Sequence, residues 1–211
     1  CGANTFSAAD TGAACQDFQL CPEGQGSGFS DDFSSENVSD YEDLFGTWSG
    51  GTFGGVSGGV LTKVKGSETG SYSRVLNDHQ MRDGAVTAKL KRSSSTVKPG
   101  LFLRHDSVGG GKYLVFFTST KISFNKKPNG GSYTFVAGYN TAFASNTDYV
   151  ISFSATDNGG SVDLSASVDG VEVLTWTDTT DVLGAGQIGL YCGGPSGNCI
   201  YDDFTVSGDG G

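Results

Sequence analysis

The feature of this sequence that most restricts its fold is a period-two alternation of apolar and polar residues in short runs. In the clearest run, Val162, Leu164, Ala166 and Val168 fall on one side of a strand, because successive strand side chains point to opposite faces. Similar runs recur between clusters of Gly, Asn, Asp and Ser, which is typical of antiparallel strands joined by tight turns. Only residues 35–44 have a pattern that allows one short helical turn. The sequence therefore predicts an all-β chain.

Turn residues divide the chain into predicted strands and hairpins. Gly109–Gly111 separates the apolar runs 101–105 and 112–117, and Asp169-Gly170 separates two further runs, so both positions predict hairpins. Residues 73–76 and 84–91 are predicted as two separate strands. The domain boundaries that follow are a cysteine-rich leader or partial repeat at 1–28, a β-sandwich at 29–207 and a Gly-rich tail at 208–211.

The cysteines indicate an oxidising, extracellular setting. A disulfide is predicted for the last two, which bracket a short loop of Gly, Pro, Ser and Asn, and the N-terminal pairing is either Cys15–Cys21 or Cys1–Cys15. A lipid-modified first cysteine and a chain cut from a longer extracellular protein both fit the position of the first one. The two histidines lie in no zinc-ligand spacing with the cysteines. The five cysteines are Cys1, Cys15, Cys21, Cys192 and Cys199.

Charge and hydropathy argue against nucleic-acid binding and against a membrane-spanning helix. The formal net charge of −10 repels phosphate backbones, which disfavours nucleic-acid binding. No stretch reaches the roughly 20 apolar residues that a membrane-spanning helix needs. Asn37-Val38-Ser39 is an N-glycosylation sequon, so Asn37 is a candidate glycosylation site.

A set of short motifs, in their order along the chain, resembles the concanavalin A-like and laminin-G-like jelly rolls, including carbohydrate-binding modules. The resemblance covers about residues 28–207 and implies an antiparallel two-sheet sandwich. Residues 1–28 resemble, over barely one repeat, the cysteine-rich repeats of tumour-necrosis-factor and ephrin receptors. The motifs of the sandwich are Asp31-Asp32-Phe33, Gly46-Thr47-Trp48, Gly59-Val60-Leu61, Val168-Asp169-Gly170-Val171, Gly186-Gln187-Ile188-Gly189-Leu190 and Tyr201-Asp202-Asp203-Phe204-Thr205-Val206.

In a sandwich of this kind the first and last strands pair at one edge. That pairing would bring Asp31 and Asp32 close to Asp202 and Asp203, with Asp202 on the core side beside Phe204 and Asp203 facing outward. The resemblance implies a structural Ca²⁺ near this junction, and clustered carboxylates are ligands that Ca²⁺ prefers. The alternative is that these aspartates protect the sheet edge from aggregation.

The sequence predicts no enzyme. Jelly-roll β-glucanases resemble one another in a Glu-x-Asp-x-x-Glu or Glu-x-Asp-x-Glu strand, which supplies a pair of carboxylates, and neither run occurs here. Polysaccharide lyases of similar fold use tyrosine and histidine with a cation, a set that Arg104, His105 and Tyr113 would supply. Arg104 and His105, however, are predicted to point to opposite faces of one strand.

Aromatic side chains beside polar ones predict a glycan-binding surface, since sugars stack on rings. The candidate ligand-binding residues are Tyr72, Arg74, Arg104, Tyr113 and Tyr139. Aromatic residues of a sandwich also serve the core, and Trp176, which alternates with Leu174, is expected in or near it. Further candidates are Trp48, Tyr191 and Asp178.

The function predicted from the sequence is an extracellular, non-catalytic recognition domain that binds a glycan or a cell-surface protein. Two alternatives remain open. One is a structural or adhesion module of a larger cell-surface protein or filament. The other is a polysaccharide lyase or glycosidase of jelly-roll fold. Saturable sugar binding separates the recognition domain from the structural module, and turnover of anionic polysaccharides tests the enzyme.

Overall fold

The chain is all-β, as the sequence predicted. The structure is a computed structural model that describes residues 28–33, 41–45, 49–51, 60–65 and 72–210. Within these residues the chain forms no helix, and therefore none that is long and apolar enough to span a membrane. The strands are β1 Phe29–Asp31, β2 Tyr41–Phe45, β3 Ser49–Gly51, β4 Val60–Lys65, β5 Tyr72–Arg92, β6 Lys98–His105, β7 Lys112–Phe117, β8 Lys121–Lys127, β9 Thr134–Asn140, β10 Tyr149–Asp157, β11 Val162–Val168, β12 Val171–Asp178, β13 Gly186–Gly193 and β14 Gly197–Gly210.

The 21-residue strand β5 belongs to both layers of the sandwich. Up to Met81 it pairs with β13 and β2. From Gly84 onward it pairs with β10 on one side, and β14 pairs with the other side between Met81 and Arg92. Sheet 1 therefore has the order β2-β5-β13-β6-β7-β8-β9, and sheet 2 the order β12-β11-β10-β5-β14, with β1 and β4 also paired to β14. The prediction of two separate strands here was wrong, because segment 77–83, in which Met81 is the one apolar residue, interrupts the apolar pattern without ending the strand.

The main hydrophobic core lies between the two sheets. Phe124 of β8 contacts Phe153 of β10 with ring centroids 5.3 Å apart, and Tyr113 of β7 contacts Trp176 of β12 at 6.4 Å. Trp176 packs against this core while half-buried, as expected from its alternation. These contacts join the two sheets face to face, which confirms the predicted sandwich.

Both predicted hairpins are present. β6 and β7 pair antiparallel across the Gly109–Gly111 turn. β11 and β12 pair across Asp169 and Gly170, whose φ angles of 50° and 82° are those of a type I′ turn. The sequence allowed one helical turn in the region 35–44. Residues 41–44 of that region belong instead to strand β2, and residues 34–40 lie outside the described part of the chain.

The beginning and the end of the sandwich lie side by side, as expected. β1 pairs antiparallel with β14, with Asp31 opposite Phe204. A β-bulge at Asp203, which has a φ of 49°, places two residues of β14 opposite one of β5. Tyr201 and Phe204 are both buried as a result, and Asp202 faces away from the core. The expectation that Asp202 shares the side of Phe204 was therefore wrong.

The predicted disulfide between Cys192 and Cys199 is present. It joins the end of β13 to the start of β14, with Cα atoms 5.9 Å apart, and both cysteines are fully buried. Cys1, Cys15, Cys21 and the receptor-like leader lie outside the described residues, and so does Asn37.

Candidate functional site

The face of sheet 1 that points away from the main core carries aromatic rings, lysines and amides. Strand alternation and cross-strand register place its residues together, because directly opposite residues of antiparallel strands share a face. We call it the aromatic–lysine face. Its residues are Lys98, Phe102, His105, Lys112, Leu114, Phe116, Lys121, Ser123, Asn125, Lys127, Phe135, Gln187 and Tyr191.

The apolar part of this face is a small cluster separate from the main core. Phe102, Leu114 and Tyr191 form it, and the half-buried Phe116 packs against it. Phe116 and Tyr191 lie on either side of Gly100, which pairs with both, and their ring centroids are 6.0 Å apart. Because Gly100 has no side chain, the two rings meet across the strand between them.

Three polar side chains of the same face have a buried atom without a hydrogen-bond partner in the described part of the chain. These atoms are Oγ of Ser123, Nδ2 of Asn125 and Oε1 of Gln187. Ser123 lies opposite Phe116, and Asn125 lies opposite Leu114, so the polar atoms border the apolar cluster. A buried polar atom without a partner costs roughly 1–3 kcal/mol and calls for an explanation, and the three others among the described residues, on Thr62, Arg92 and Arg104, lie away from this face.

The rim of the face is more exposed. The side chain of Phe135 is 56% exposed and lies beside Gly138, the cross-strand neighbour of Ser123. Lys121 places its Nζ 5.0 Å from the centroid of the Phe135 ring. Tyr133, 41% exposed, contacts the edge of Tyr191 at 6.5 Å. Rings and cations are therefore available to a ligand around the buried centre.

His105 lies on the aromatic–lysine face because of an irregularity at Arg104. Arg104 has a φ of 52°, and the register between β6 and β13 shifts at this point. The ring of His105 consequently contacts Phe102 at 5.9 Å, and its partner across the strands is Gln187. Burial, followed by the charge of Lys112, lowers the pKa of His105, so the imidazole is neutral at pH 7.

Arg104 and Tyr113 lie inside the sandwich and not on a binding surface. The guanidinium of Arg104 donates to the carbonyl of Leu183 at 2.8 Å and pairs with Asp157 at 2.7 Å. Its side chain has no exposed area, and Tyr113 is equally buried. The predicted role of both as ligand contacts is corrected by this placement, since neither side chain reaches solvent.

Tyr113 is part of a second internal network. Its hydroxyl donates to Asp178 at 2.6 Å and accepts from the amide of Leu183 at 3.0 Å. Asp178 also pairs with Lys126 at 2.6 Å. Burial and then the hydrogen bond to Asp178 raise the pKa of Tyr113 far above its usual value. The set considered for a lyase is thus divided, with Tyr113 and Arg104 inside and His105 on the opposite face.

The other predicted ligand residues are distributed as follows. Tyr139 is 46% exposed on the edge strand β9, but it pairs with Ile122, whose side chain faces the core. Tyr72 and Arg74 lie in β5, of which the structure describes the backbone pairing with β13 at these positions. Trp48 lies outside the described residues.

A cleft of about 300 Å³ opens between the edge strands β9 and β12. Trp176 lines it, together with Thr134, Thr177 and the exposed Asp181. Lys126 and Asp178 also border it, but they neutralise each other through their ion pair. The cleft therefore offers one indole and several hydroxyls.

The four aspartates predicted to bind calcium meet at the β1–β14 edge. Asp31, Asp32 and Asp203 line one surface pocket there. Lys89 lies between Asp202 and Asp203, at 3.1 and 2.5 Å, and the hydrogen bonds to these two carboxylates raise its pKa to about 12. Among the described residues no group of three or more His, Cys, Asp or Glu side chains is placed to hold a metal ion. The calcium site stays a prediction.

The polar and aromatic residues of the aromatic–lysine face were largely missed by sequence reasoning, with Tyr191 and His105 the exceptions. A signal was present in β8, where Lys121, Ser123, Asn125 and Lys127 alternate with residues that include Ile122 and Phe124. That pattern gives a strand with one polar side, but it does not distinguish a binding face from a solvated one.

Comparison with known proteins shows the fold. No protein-family model and no curated protein sequence matches this chain. Among solved structures, the chain is similar to the carbohydrate-binding module CBM66 from Bacillus subtilis, with 18% identity, a TM-score of 0.63 and 81% and 98% of the two chains covered.

Two further solved structures support the same fold. A protein of unknown function with a galectin-like fold from Bacillus subtilis has 15% identity, a TM-score of 0.64 and coverage of 86% of this chain and 96% of its own. A β-1,3-1,4-glucanase from a mouse hindgut metagenome has 16% identity, a TM-score of 0.60 and coverage of 88% and 99%. At these identities the likeness establishes a jelly-roll sandwich and leaves the activity to the residues of the site.

Proposed function

We propose that this chain is an extracellular, non-catalytic glycan-recognition domain, and that the aromatic–lysine face is its binding surface. The observation that carries the proposal is the presence, on one face, of aromatic rings beside buried polar atoms without partners. A sugar ring has apolar C–H faces that stack on aromatic rings and hydroxyls that both donate and accept hydrogen bonds. Small-molecule sites have the same composition of rings with a few placed polar groups.

Individual side chains of the face match the two kinds of sugar surface, the rings matching the C–H faces and the polar atoms matching the hydroxyls. Phe116 is half-buried and provides a ring at the surface, supported from beneath by the almost fully buried Tyr191, and Phe135 at the rim provides a second exposed ring. The Oε1 of Gln187 accepts a hydrogen bond, Nδ2 of Asn125 donates, and Oγ of Ser123 does both. All three atoms are buried, so a hydroxyl-bearing ligand pairs with them only if the side chains that cover them move aside on binding, whereas a purely apolar ligand would leave them unpaired. The similarity to a carbohydrate-binding module and a glucanase is consistent with a glycan ligand.

The non-catalytic part of the proposal is supported by the carboxylates. Most glycosidases use two carboxylic acids that flank the scissile bond. The chain has neither of the two glucanase motifs, and the residues named for the aromatic–lysine face include no pair of carboxylates; the register places one glutamate, Glu42 of β2, on the same side of sheet 1, three strands away from Phe102. The extracellular part is supported by the buried Cys192–Cys199 disulfide, since such bonds persist in oxidising compartments.

Replacing Phe116 with alanine tests the assignment. The chain is screened for retardation in native gels that contain soluble polysaccharides, both neutral and anionic, and the tightest ligand is titrated by calorimetry. We expect Phe116→Ala to raise the dissociation constant about tenfold or more, because a stacking ring is lost. Thr175→Ala, at an exposed position of sheet 2, and Asp181→Asn, at the Trp176 cleft, are controls that should leave the dissociation constant within about twofold.

Three outcomes would contradict the proposal. Binding that is unchanged in Phe116→Ala but lost in Asp181→Asn would move the site to the Trp176 cleft. Absence of binding to every polysaccharide, together with ordered self-association, would favour the structural module. Release of reducing ends or of unsaturated uronate products would make the protein an enzyme.

A further inference from the structure

Two aromatic rings from one short segment lie over the buried centre of the aromatic–lysine face. Phe135 is directly opposite Asn125, and an ideal Cβ atom at Gly138, the cross-strand neighbour of Ser123, would lie 3.2 Å from Cε2 of the Phe135 ring. Tyr133, two residues earlier, contacts the apolar cluster of the face. Ser123 has no exposed area, although it lies on the outer side of a sheet. The two rings therefore contribute to its cover.

The segment that carries these rings is attached at its two ends. At its start, Gly130 donates a backbone hydrogen bond to the carbonyl of Gly109 at 2.8 Å, and Oδ1 of Asn129 accepts one from the amide of Gly111 at 2.9 Å. At its end, a β-bulge at Val136 interrupts the pairing of β9 with β8. Between these points, no side chain of residues 132–135 forms a hydrogen bond or an ion pair with another described residue.

The far side of the same segment borders open space. Thr134 and Val136 alternate with Phe135 and line the cleft of about 300 Å³ that also contains Trp176. The start of β9 is therefore a single strand between this cleft and the aromatic–lysine face. Because no packed layer lies behind the strand at the cleft, a movement away from the face compresses little of the core.

Tyr133 has the chemistry of a ligand contact. It is 41% exposed, yet burial raises the pKa of its hydroxyl, and the neighbouring Tyr191 raises that pKa further. The hydroxyl end therefore lies toward the face, while other parts of the residue reach solvent. This hydroxyl forms no hydrogen bond with another described residue. It can consequently donate to a sugar hydroxyl or accept from one.

We propose that residues 131–135 are a movable flap over the aromatic–lysine face, and that Tyr133 and Phe135 are ligand-contacting residues. The flap moves away from the face to admit the sugar, and its rings then pack on the sugar from the side opposite Phe116. This inference rests on the proposed glycan-binding function and adds the way in which the ligand enters. It explains how a ligand reaches Ser123 and Asn125, which are covered when the flap is closed. A ligand held in this way leaves slowly, because the flap must open first.

The motion itself is measured in the ¹⁵N-labelled full chain by relaxation dispersion, which detects exchange on the microsecond-to-millisecond timescale. We expect exchange at the backbone amides of Ser132, Tyr133 and Phe135. The amides of Asn158 and Ser161 are the control, because hydrogen bonds in both directions close that turn. Flat profiles at all three flap amides, both without ligand and with a half-saturating glycan, would overturn the flap.

Ring-removal variants test the contacts through binding kinetics on the tightest-binding polysaccharide of the screen, immobilised on a biosensor. We expect Tyr133→Ala and Phe135→Ala each to raise the dissociation rate about tenfold, because a ring that closes on the sugar is lost, and to leave the association rate unchanged or higher. Tyr133→Phe keeps the ring and removes the hydroxyl, so it should raise the dissociation rate only about threefold.

Tyr139→Ala is the matched control for these variants. It removes a similarly exposed aromatic ring from the same strand, but from the side that faces away from the aromatic–lysine face. Neither rate should change by more than about twofold. Thermal melting of each variant checks that it is folded.

The outcomes separate the flap from the function on which it rests. Unchanged rates in Tyr133→Ala and Phe135→Ala, while Phe116→Ala still weakens binding, would overturn the flap and leave the glycan-binding function standing. Equal losses in Tyr139→Ala would show a general disturbance of β9, and slower association with unchanged dissociation would show a fixed surface, so both contradict the inference. Absence of binding to every polysaccharide would end the flap and the glycan-binding function together.

Discussion

Replacing Arg104 with methionine is expected to lower the free energy of unfolding by about 4 kcal/mol. The side chain of Arg104 has no exposed area, and its guanidinium contacts Asp157 at 2.7 Å, Asp83 at 3.3 Å and the carbonyl of Leu183 at 2.8 Å. Methionine fills the apolar volume but leaves a carbonyl and two partly buried carboxylates with fewer partners. Urea unfolding monitored by tryptophan fluorescence measures the difference.

Arg82 provides a matched control for this prediction. It pairs with the same carboxylate, Asp157, at 2.5 Å, but its own side chain is 57% exposed. Exposed ion pairs contribute roughly 0–1 kcal/mol, so Arg82→Met should cost less than about 1 kcal/mol. Equal losses in the two variants would show that the buried network around Arg104 has no special role in holding the middle of β5 to the ends of β6 and β10.

Replacing Gly100 with alanine is expected to lower the free energy of unfolding by about 3 kcal/mol. A Cβ atom at this position would lie 2.2 Å from the carbonyl oxygen of Val115 and 2.8 Å from Cβ of Phe116. The first of these atoms belongs to the backbone of β7, so the strand itself must move. Because Gly100 separates Phe116 from Tyr191, the same change should also disturb the aromatic–lysine face.

Gly184 is the control for the glycine substitution. It lies in the connection before β13, and nothing stands within 4 Å of an ideal Cβ there. Gly184→Ala should therefore leave stability unchanged or raise it by up to roughly 1 kcal/mol, through the lower entropy of the unfolded chain. A Gly100→Ala protein as stable as Gly184→Ala would mean that β6 and β7 are not packed as described.

The sequence predicted the fold wherever local pattern decides structure. Alternation and turn residues predicted the hairpins at Gly109–Gly111 and Asp169-Gly170, and the spacing of Cys192 and Cys199 predicted their disulfide. The pairing of β1 with β14 was expected from the resemblance to jelly rolls. These features depend on neighbours in sequence or on a topology common to many chains.

The site was harder to predict because it depends on irregularities that alternation does not reveal. The positive φ at Arg104 turns that side chain inward and leaves His105 beside Phe102, and the bulge at Asp203 reverses the side of Asp202. Each irregularity shifts the pairing register by one residue, so the side chains that follow it point to the face opposite to the one that simple alternation predicts. A binding face assembled from five strands also requires knowledge of which strands are adjacent, and β13 lies far along the chain from the β6 that it joins.

The account depends most on the claim that glycan binds at the aromatic–lysine face, and the side-chain amide signals of Asn125 and Gln187 report on it directly. In a titration of the ¹⁵N-labelled chain with the tightest-binding oligosaccharide found in the polysaccharide screen, followed by heteronuclear NMR, we expect these two signals to shift together with the backbone amide of Ser123, because a ligand seated on Phe116 changes the surroundings of the polar side chains beside it. The amides of Thr175 and Ser165 on sheet 2 should stay in place. Shifts confined to the Trp176 cleft or to the Asp31 and Asp203 edge, with Asn125 and Gln187 unmoved at saturation, would contradict the claim.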